Sequence, residues 1–258
     1  MEMIENVFYT DNNSLSQALD IYLPDAENFP VFVYFHGGGI EKGDKSDNRE
    51  RCFYECLQKK GVAVLTANYR MYPHASFPDF LKDAAAAVAW AKKHMPEYGN
   101  VTGLFIGGSS AGGYISQMLC FDKKYLSIHK IDSDEISGYI FDAGQPTVHF
   151  NVLRERGIDP RRVVIDEDAP IYHIKDGRDY PPMQIFVSEY DMKNRYEQTQ
   201  LLLSTLKHFE FDMSKIDYKY MKGYKHCKYT IESDENGHSA FADTVFEFIN
   251  KYSKKGCK

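Results

Sequence analysis

A serine flanked by small residues follows directly on an apolar stretch of the chain. Residues 108–112 read GSSAG, the pattern G-x-S-x-G, and they come after the strand-like run of residues 101–106. A sharp strand-to-helix turn at such a serine pushes its hydroxyl out of the sheet, and only small neighbours leave room for the crossing. The helix that follows would direct its free N–H groups at the reaction. We therefore interpret Ser110 as a nucleophile, although a glycine-rich turn that binds phosphate or merely packs helix on strand has the same letters.

A run of three glycines provides a second chemical feature upstream of this serine. Residues 36–39 read HGGG and follow the apolar run of residues 31–35. Without Cβ atoms, this backbone can approach a substrate and turn its N–H groups toward a developing negative charge. The N–H group of Ala111, one residue past the nucleophile, would complete an oxyanion hole. Taken alone, the run could also be a loop that only needs positive φ angles.

The elements that must position these residues alternate between short apolar strands and helices, which predicts an α/β fold. Its sheet should be mostly parallel and twisted, with helices on both faces, and chemistry should gather at the carboxyl ends of the strands. No repeat or linker divides the chain, so residues 1–258 are predicted to form a single domain. The predicted strands include residues 31–35, 62–67, 101–106, 137–142, 183–187 and 218–221, and the predicted helices include residues 47–60, 79–94, 195–209 and 239–252.

Composition excludes several classes of function. The net charge of −6 argues against nucleic acid or an anionic membrane as a partner. The first residues lack the basic and apolar regions of a signal peptide, and no apolar run approaches the ~20 residues of a membrane span. The five cysteines are odd in number and lack metal-ligand spacing, so we expect reduced thiols, a cytoplasmic location, no metal and no cofactor.

Together the motifs resemble the α/β-hydrolases of the hormone-sensitive-lipase-like esterase group over nearly the whole chain. The resemblance implies that Ser110 forms an acyl-enzyme and that the N–H groups of Gly38, Gly39 and Ala111 bind the oxyanion. Ser109 is a departure, because members of the group usually carry Asp there, in GDSAGG. The residues that carry the resemblance are HGGG at 36–39, NYR at 68–70, FP at 77–78, Asp83 and GSSAGG at 108–113.

The same resemblance guides the choice of an acid and a base. Asp191 follows the strand at residues 183–187 in a segment similar to the group's G-x-x-D-x, and Glu189 is the alternative acid. His226 follows the last strand within a short loop, where the histidine of this fold belongs. His238 precedes the final helix and is the alternative base, although reaching it adds a polar loop. A neutral His226 would accept the Ser110 proton while Asp191 holds its other nitrogen.

These inferences predict a serine esterase that acts on small, short-acyl carboxylic esters. The alternatives are an acetyl-carbohydrate esterase or an amidase or peptidase with the same three residues, and a silent small-molecule-binding protein on the same scaffold. Residues 147–175 are expected to form a small cap over the cleft, since cap insertions in this fold follow the strand that ends at Asp142. The physiological ester, the acyl length and a homodimeric state are left open.

Overall fold

The computed structural model describes residues 1–254 of the chain, so Cys257, one of the predicted reduced cysteines, lies outside the described residues. Eight strands form one sheet in the order β1-β2-β4-β3-β5-β6-β7-β8. Strands β1, β2 and β4 pair antiparallel, and every pairing from β4 through β3 to β8 is parallel. The strands are β1 Glu2–Phe8, β2 Ala18–Leu23, β3 Asn28–Phe35, β4 Ala63–Ala67, β5 Asn100–Ser109, β6 Gly138–Asp142, β7 Met183–Tyr190 and β8 Ile216–Lys225.

Helices cover both faces of this sheet. One hydrophobic cluster packs α2, α3 and α6 against the sheet, and a second packs α1 and α7 against its other face. This arrangement confirms the predicted α/β-hydrolase fold. Within residues 1–254, no helix combines the length and apolar character needed to cross a bilayer. The helices are α1 Arg51–Lys59, α2 Asp79–His94, α3 Ala111–Phe121, α4 Lys124–Ser127, α5 Phe150–Glu155, α6 Arg195–His208 and α7 Ala240–Tyr252.

The crossing of β5 into α3 is as tight as the small residues predicted. A Cβ atom added at Gly112 would lie 1.9 Å from the Phe35 carbonyl oxygen, and one at Gly108 would lie 2.4 Å from the same atom. Such separations are impossible for real carbon and oxygen atoms, so both positions require glycine. This close approach brings the first turn of α3 against the last residue of β3. It also sets the position of Ser110, which lies between β5 and α3.

The last two strands extend further than their apolar runs predict. Strands β7 and β8 pair in parallel from Met183 and Ile216 up to the pair of Tyr190 and Lys225. Backbone hydrogen bonding sustains these ends after the hydrophobic pattern has stopped, because a strand needs a partner rather than buried side chains on both faces. The loops after the two strands therefore start side by side at one edge of the sheet.

Three further details of the fold go beyond the sequence pattern. The first helix begins at Arg51 rather than near Asp47, and α5 lies within residues 147–175, where a cap but no particular helix was predicted. Arg70 and Asp83, which are both among the residues that carry the resemblance, form an ion pair at 2.8 Å.

Candidate active site

The backbone at Ser110 has the sharp conformation expected of the turn. Its φ is 55° and its ψ is −107°, values that a residue with a side chain seldom adopts. The Ser110 N–H group donates to the Asp142 carbonyl oxygen at 2.8 Å, which anchors the turn on the end of the neighbouring strand β6. A strained residue held this firmly at the end of a central strand is a common feature of functional sites.

Three of the residues singled out from the sequence meet at this turn. His226 Nε2 lies 2.8 Å from Ser110 Oγ, and His226 Nδ1 lies 2.5 Å from Asp191 Oδ1. Asp191 follows β7 and His226 follows β8, so the paired ends of these strands bring the two side chains together. The serine hydroxyl, the imidazole and the carboxylate thus form one chain of hydrogen bonds.

The surroundings of Asp191 keep its carboxylate ionised. Burial acts to raise its pKa, but hydrogen bonds and the nearby imidazole outweigh burial and hold the pKa below its ordinary value. Two backbone N–H groups contribute, with Ser188 donating to Oδ2 at 3.0 Å and Met192 donating to Oδ1 at 2.7 Å. All partners of the carboxylate are therefore donors, which fixes His226 in the tautomer with its proton on Nδ1.

The glycine loop approaches the serine closely. A Cβ atom added at Gly37 would lie 3.5 Å from Ser110 Cβ, and Gly38 and Gly39 have φ angles of 112° and 71°. A Cβ atom at Gly38 would also meet the Lys42 carbonyl oxygen at 1.9 Å. Within the described residues, no backbone carbonyl accepts from the N–H groups of Gly38 and Gly39. These two groups are free to bind another acceptor beside Ser110.

His36 supports the glycine loop, and within the described residues no hydrogen bond joins its ring to Ser110. Its ring is buried, stacks on Tyr69 with the ring centres 4.5 Å apart, and has Nδ1 2.7 Å from the Gly37 carbonyl oxygen. Burial lowers its pKa, so the ring is neutral and Nδ1–H donates to Gly37. We interpret His36 as a brace for the glycine loop.

A cavity of about 630 Å³ opens above Ser110 and is bordered by His226 and the glycine loop. Phe150 from α5 forms part of its wall. Helix α5 is fastened to the glycine loop, because Asn151 Nδ2 donates to the Gly39 carbonyl oxygen at 2.5 Å and Arg154 binds Glu41 at 2.8 Å. The segment predicted as a cap thus contacts the loop nearest the serine.

The two alternative residues lie elsewhere. Glu189 accepts from the N–H group of Gly223 at 2.7 Å. His238 is about half exposed, and its Nε2 is 2.7 Å from Asp243 Oδ2. No hydrogen bond joins either side chain to Ser110 within the described residues. The same part of the chain holds no group of three His, Cys, Asp or Glu side chains arranged to bind a metal ion.

Sequence reasoning missed a buried carboxylate directly beneath the turn. Asp142 is fully buried at the end of β6, and the Ser109 hydroxyl and the Tyr229 hydroxyl both donate to its carboxylate. The position of an acidic residue at the carboxyl end of a predicted buried strand was the available signal. The partners of the carboxylate lie 33 and 87 residues away in the chain, so no local pattern reveals them.

Solved structures of esterases share this fold. A truncated carbohydrate esterase from gut microbiota superposes with a TM-score of 0.81 at 18% identity, over 99% of this chain and 97% of that one. Esterase 2 of Thermogutta terrifontis, phosphoramylated by tabun, gives a TM-score of 0.74 at 23% identity, over 100% of this chain and 96% of that one. At these identities the similarity shows the fold alone.

Sequence relatives match over a shorter stretch. The carboxylic ester hydrolase LipN of Mycobacterium tuberculosis is 37% identical over 93 residues, which are 35% of this chain and 24% of that protein. The aligned part therefore spans only about a quarter of this relative's length. The BD-FAE family model matches residues 19–153, which include the glycine loop, Ser110 and Asp142. This match extends over more than half of the 258 residues, and the chain belongs to the BD-FAE family.

Proposed function

We propose that this protein is a serine hydrolase that cleaves small carboxylic esters through an acyl-enzyme on Ser110. The observation that carries the proposal is the chain of hydrogen bonds from Ser110 Oγ through His226 to Asp191, with separations of 2.8 and 2.5 Å. An acyl-transfer site needs a nucleophile, a base and a group that orients the base. The series of hydrogen bonds contains these three groups in that order.

In the acylation step, Ser110 Oγ attacks the ester carbonyl while its proton moves to His226 Nε2. Asp191 holds the proton on Nδ1 and stabilises the imidazolium that forms. The C–O bond to the alcohol then breaks, and the alcohol leaves with the proton from Nε2. A water molecule, deprotonated by His226, attacks the acyl-enzyme in the same way and releases the carboxylic acid.

The negative charge on the carbonyl oxygen needs donors at the moment it develops. We assign this role to the N–H groups of Gly38, Gly39 and Ala111. The free N–H groups of the two glycines beside Ser110 support the assignment, and Ala111 begins the helix whose positive end faces the site. A single donor of this kind contributes about 3 kcal/mol to transition-state stabilisation.

Residues 147–175 form the cap of the site in this proposal. The segment contributes Phe150 to the cavity wall, and its helix α5 is tied to the glycine loop through Asn151. We propose that Phe150, whose ring would be 3.3 Å from a Cβ atom at Gly39, limits the space beside the oxyanion donors and favours a short acyl group.

An ester of a polar alcohol, such as an acetylated sugar, is the second candidate substrate. The cavity wall also includes the charged residues Asp47, Arg49 and Lys228, which suit hydroxyl-rich groups better than hydrocarbon chains. A reducing, cytoplasmic location also belongs to this proposal, and the free thiols of Cys56 and Cys120 support it.

Hydrolysis of a panel of substrates tests the proposal. Purified protein would be assayed with p-nitrophenyl esters from acetate to octanoate and with acetylated sugars, alongside the Ser110→Ala variant. We expect wild-type turnover to be highest for the short esters and the variant to lose at least ~10³-fold in kcat. Equal rates for wild type and variant would reject Ser110 as the nucleophile.

A further inference from the structure

Asp142 connects the two loops that carry the reacting groups. Its backbone carbonyl oxygen accepts from the Ser110 N–H group at 2.8 Å. One oxygen of its carboxylate accepts from the Ser109 hydroxyl, and the other accepts from Tyr229, which lies three residues after His226. A single buried residue thus bonds to the turn of the serine and to the loop of the histidine.

The direction of the hydrogen bonds around Asp142 follows from counting protons. The Tyr34 hydroxyl lies 2.7 Å from Ser109 Oγ and 3.0 Å from Glu50 Oε1, and it has one proton to give. Because Ser109 gives its own proton to Asp142, its oxygen must accept the proton of Tyr34. The contact between Tyr34 and Glu50 is then a hydrogen bond only when the Glu50 carboxyl is protonated.

Burial favours the protonated form of Glu50. It raises the pKa of the Glu50 carboxyl, which also accepts from the Tyr54 hydroxyl at 2.7 Å. With Glu50 protonated, the network runs in one direction, from Glu50 through Tyr34 and Ser109 to Asp142. The carboxylate at its end is the acceptor on which the whole series depends.

We propose that Asp142 is a positioning residue, which holds the Ser110 turn and the His226 loop at the separation that proton transfer requires. This inference rests on the proposed function of Ser110 and His226. Asp142 itself touches neither the substrate nor the reacting atoms in this scheme. Its contribution is to fix the 2.8 Å contact between Ser110 Oγ and His226 Nε2.

The positioning depends on the charge state of Asp142. Burial raises its pKa to about 6, against the opposing effects of the Ser109 and Tyr229 hydroxyls and of the His226 ring, while Asp191 adds to the rise. The Cys227 thiol also adjoins the carboxylate, and burial raises the pKa of that thiol well above its ordinary value. Protonation of Asp142 would turn one acceptor oxygen into a donor, so the Ser109 or Tyr229 hydroxyl that faces it would have to accept instead of donate. The hydrogen bond to one of the two loops would then lose its charged acceptor and weaken.

The Asp142→Asn variant tests the proposal because it keeps the shape of the side chain, removes its negative charge and replaces one acceptor oxygen with an NH₂ donor. We expect kcat to fall about 10²-fold with little change in KM, since a small displacement of the base costs that much in rate.

The pH profile provides a second test. At low pH, protonation of the base alone gives the plot of log kcat/KM against pH a slope of one. Wild type should approach a slope of two below pH ~6, and the variant should keep a slope of one, because it lacks the second titrating group.

A matched control for Tyr229 comes from a buried tyrosine on β6, the strand that contains Asp142. Tyr139 lies on β6, and its hydroxyl donates to the Ser133 carbonyl oxygen at 3.1 Å, away from the site. Tyr139→Phe and Tyr229→Phe each remove one buried hydrogen bond. Both should unfold at lower temperature than wild type, but only Tyr229→Phe should lose kcat, by about tenfold for a bond to a charged group. The Tyr229 variant also tests the proposal if Asp142→Asn does not fold.

The outcomes separate the positioning role from the proposed function. Absence of ester hydrolysis by wild type would reject the proposed function. In that case, the low-field NMR signal of the proton on His226 Nδ1 still reports on the loop, and it should weaken or shift in Asp142→Asn but not in Tyr139→Phe. Wild-type kcat and a slope of two in Asp142→Asn, or an unchanged signal of the His226 ring proton, would overturn the role of Asp142.

Discussion

Replacing Asp191 with asparagine exchanges one oxygen for an NH₂ group at a carboxylate whose partners are all donors. Oδ1 faces His226 Nδ1 at 2.5 Å and the Met192 N–H group at 2.7 Å, and Oδ2 faces the Ser188 N–H group at 3.0 Å. Asparagine has one acceptor oxygen, so it must set its NH₂ group against at least one backbone N–H. Each of its two orientations leaves one such mismatch, so neither is clearly favoured by the backbone.

The two orientations impair the reaction in different ways. With the amide oxygen toward His226, the tautomer is kept but the negative charge beside the imidazolium is lost. Two unit charges about 4 Å apart attract by about 4 kcal/mol at an effective dielectric constant near 20, which corresponds to ~10³-fold in rate. With the NH₂ group toward His226, the proton moves to Nε2, and the ring can no longer accept from Ser110. A tautomer change of this kind costs ~10⁴-fold.

We therefore expect Asp191→Asn to retain between ~10⁻⁴ and ~10⁻³ of wild-type kcat with p-nitrophenyl acetate at neutral pH. The matched control is Glu189→Gln, a change of the same chemistry at an exposed contact with the Gly223 N–H group, and it should retain kcat within about threefold. Unfolding temperatures would establish that both variants fold. An Asp191→Asn variant with more than a tenth of wild-type activity, or an equal loss in Glu189→Gln, would refute the assignment of the acid.

Three further predictions concern the base, the stability at low pH and the turn. His226→Ala should lose at least ~10³-fold in kcat and His238→Ala should lose little, and a steady-state assay showing the reverse order would reassign the base. Burial holds the pKa of His149 well below its ordinary value, so its contribution to stability is present above pH ~6.5 and is lost as pH falls. Thermal unfolding should show a fall in Tm from pH 7 to pH 5 that is smaller in His149→Asn, and equal falls would contradict the prediction. Gly112→Ala would drive a methyl group into the Phe35 carbonyl oxygen and should reduce the free energy of unfolding by about 3 kcal/mol or more, measurable by urea denaturation; an unchanged midpoint would contradict the tight crossing.

Much of the fold follows from the sequence because its buried strands carry continuous apolar runs. The run at residues 31–35 lies within β3, and the helical spacing at residues 79–94 corresponds to α2. The small residues around Ser110 predicted a close crossing, and the distances at Gly112 show that no larger residue fits there. The order of the elements along the chain also helped to predict the acid and the base. Asp191 follows β7 and His226 follows β8, and the two residues meet because these strands pair up to their ends.

The remaining features depend on contacts between distant parts of the chain. Helix α5 has only six residues, too few for a periodic pattern, and it is held by the bond between Asn151 and Gly39, 112 residues apart. The environment of Asp142 likewise requires knowing that β5, β6 and the loop after β8 converge. A sequence shows that an acidic residue ends a buried strand, but the partners that make the position tolerable come from the folded chain.

The proposed mechanism requires an activated Ser110 hydroxyl, and covalent labelling can detect such a nucleophile. The folded protein would be treated with a fluorophosphonate, and the modified peptide would be identified by mass spectrometry in wild type and in Ser110→Ala. We expect one adduct, located on Ser110, which is absent from the variant and is slowed at least ~10²-fold in His226→Ala. An unlabelled wild-type protein, or an adduct on another residue that persists in Ser110→Ala, would contradict this mechanism.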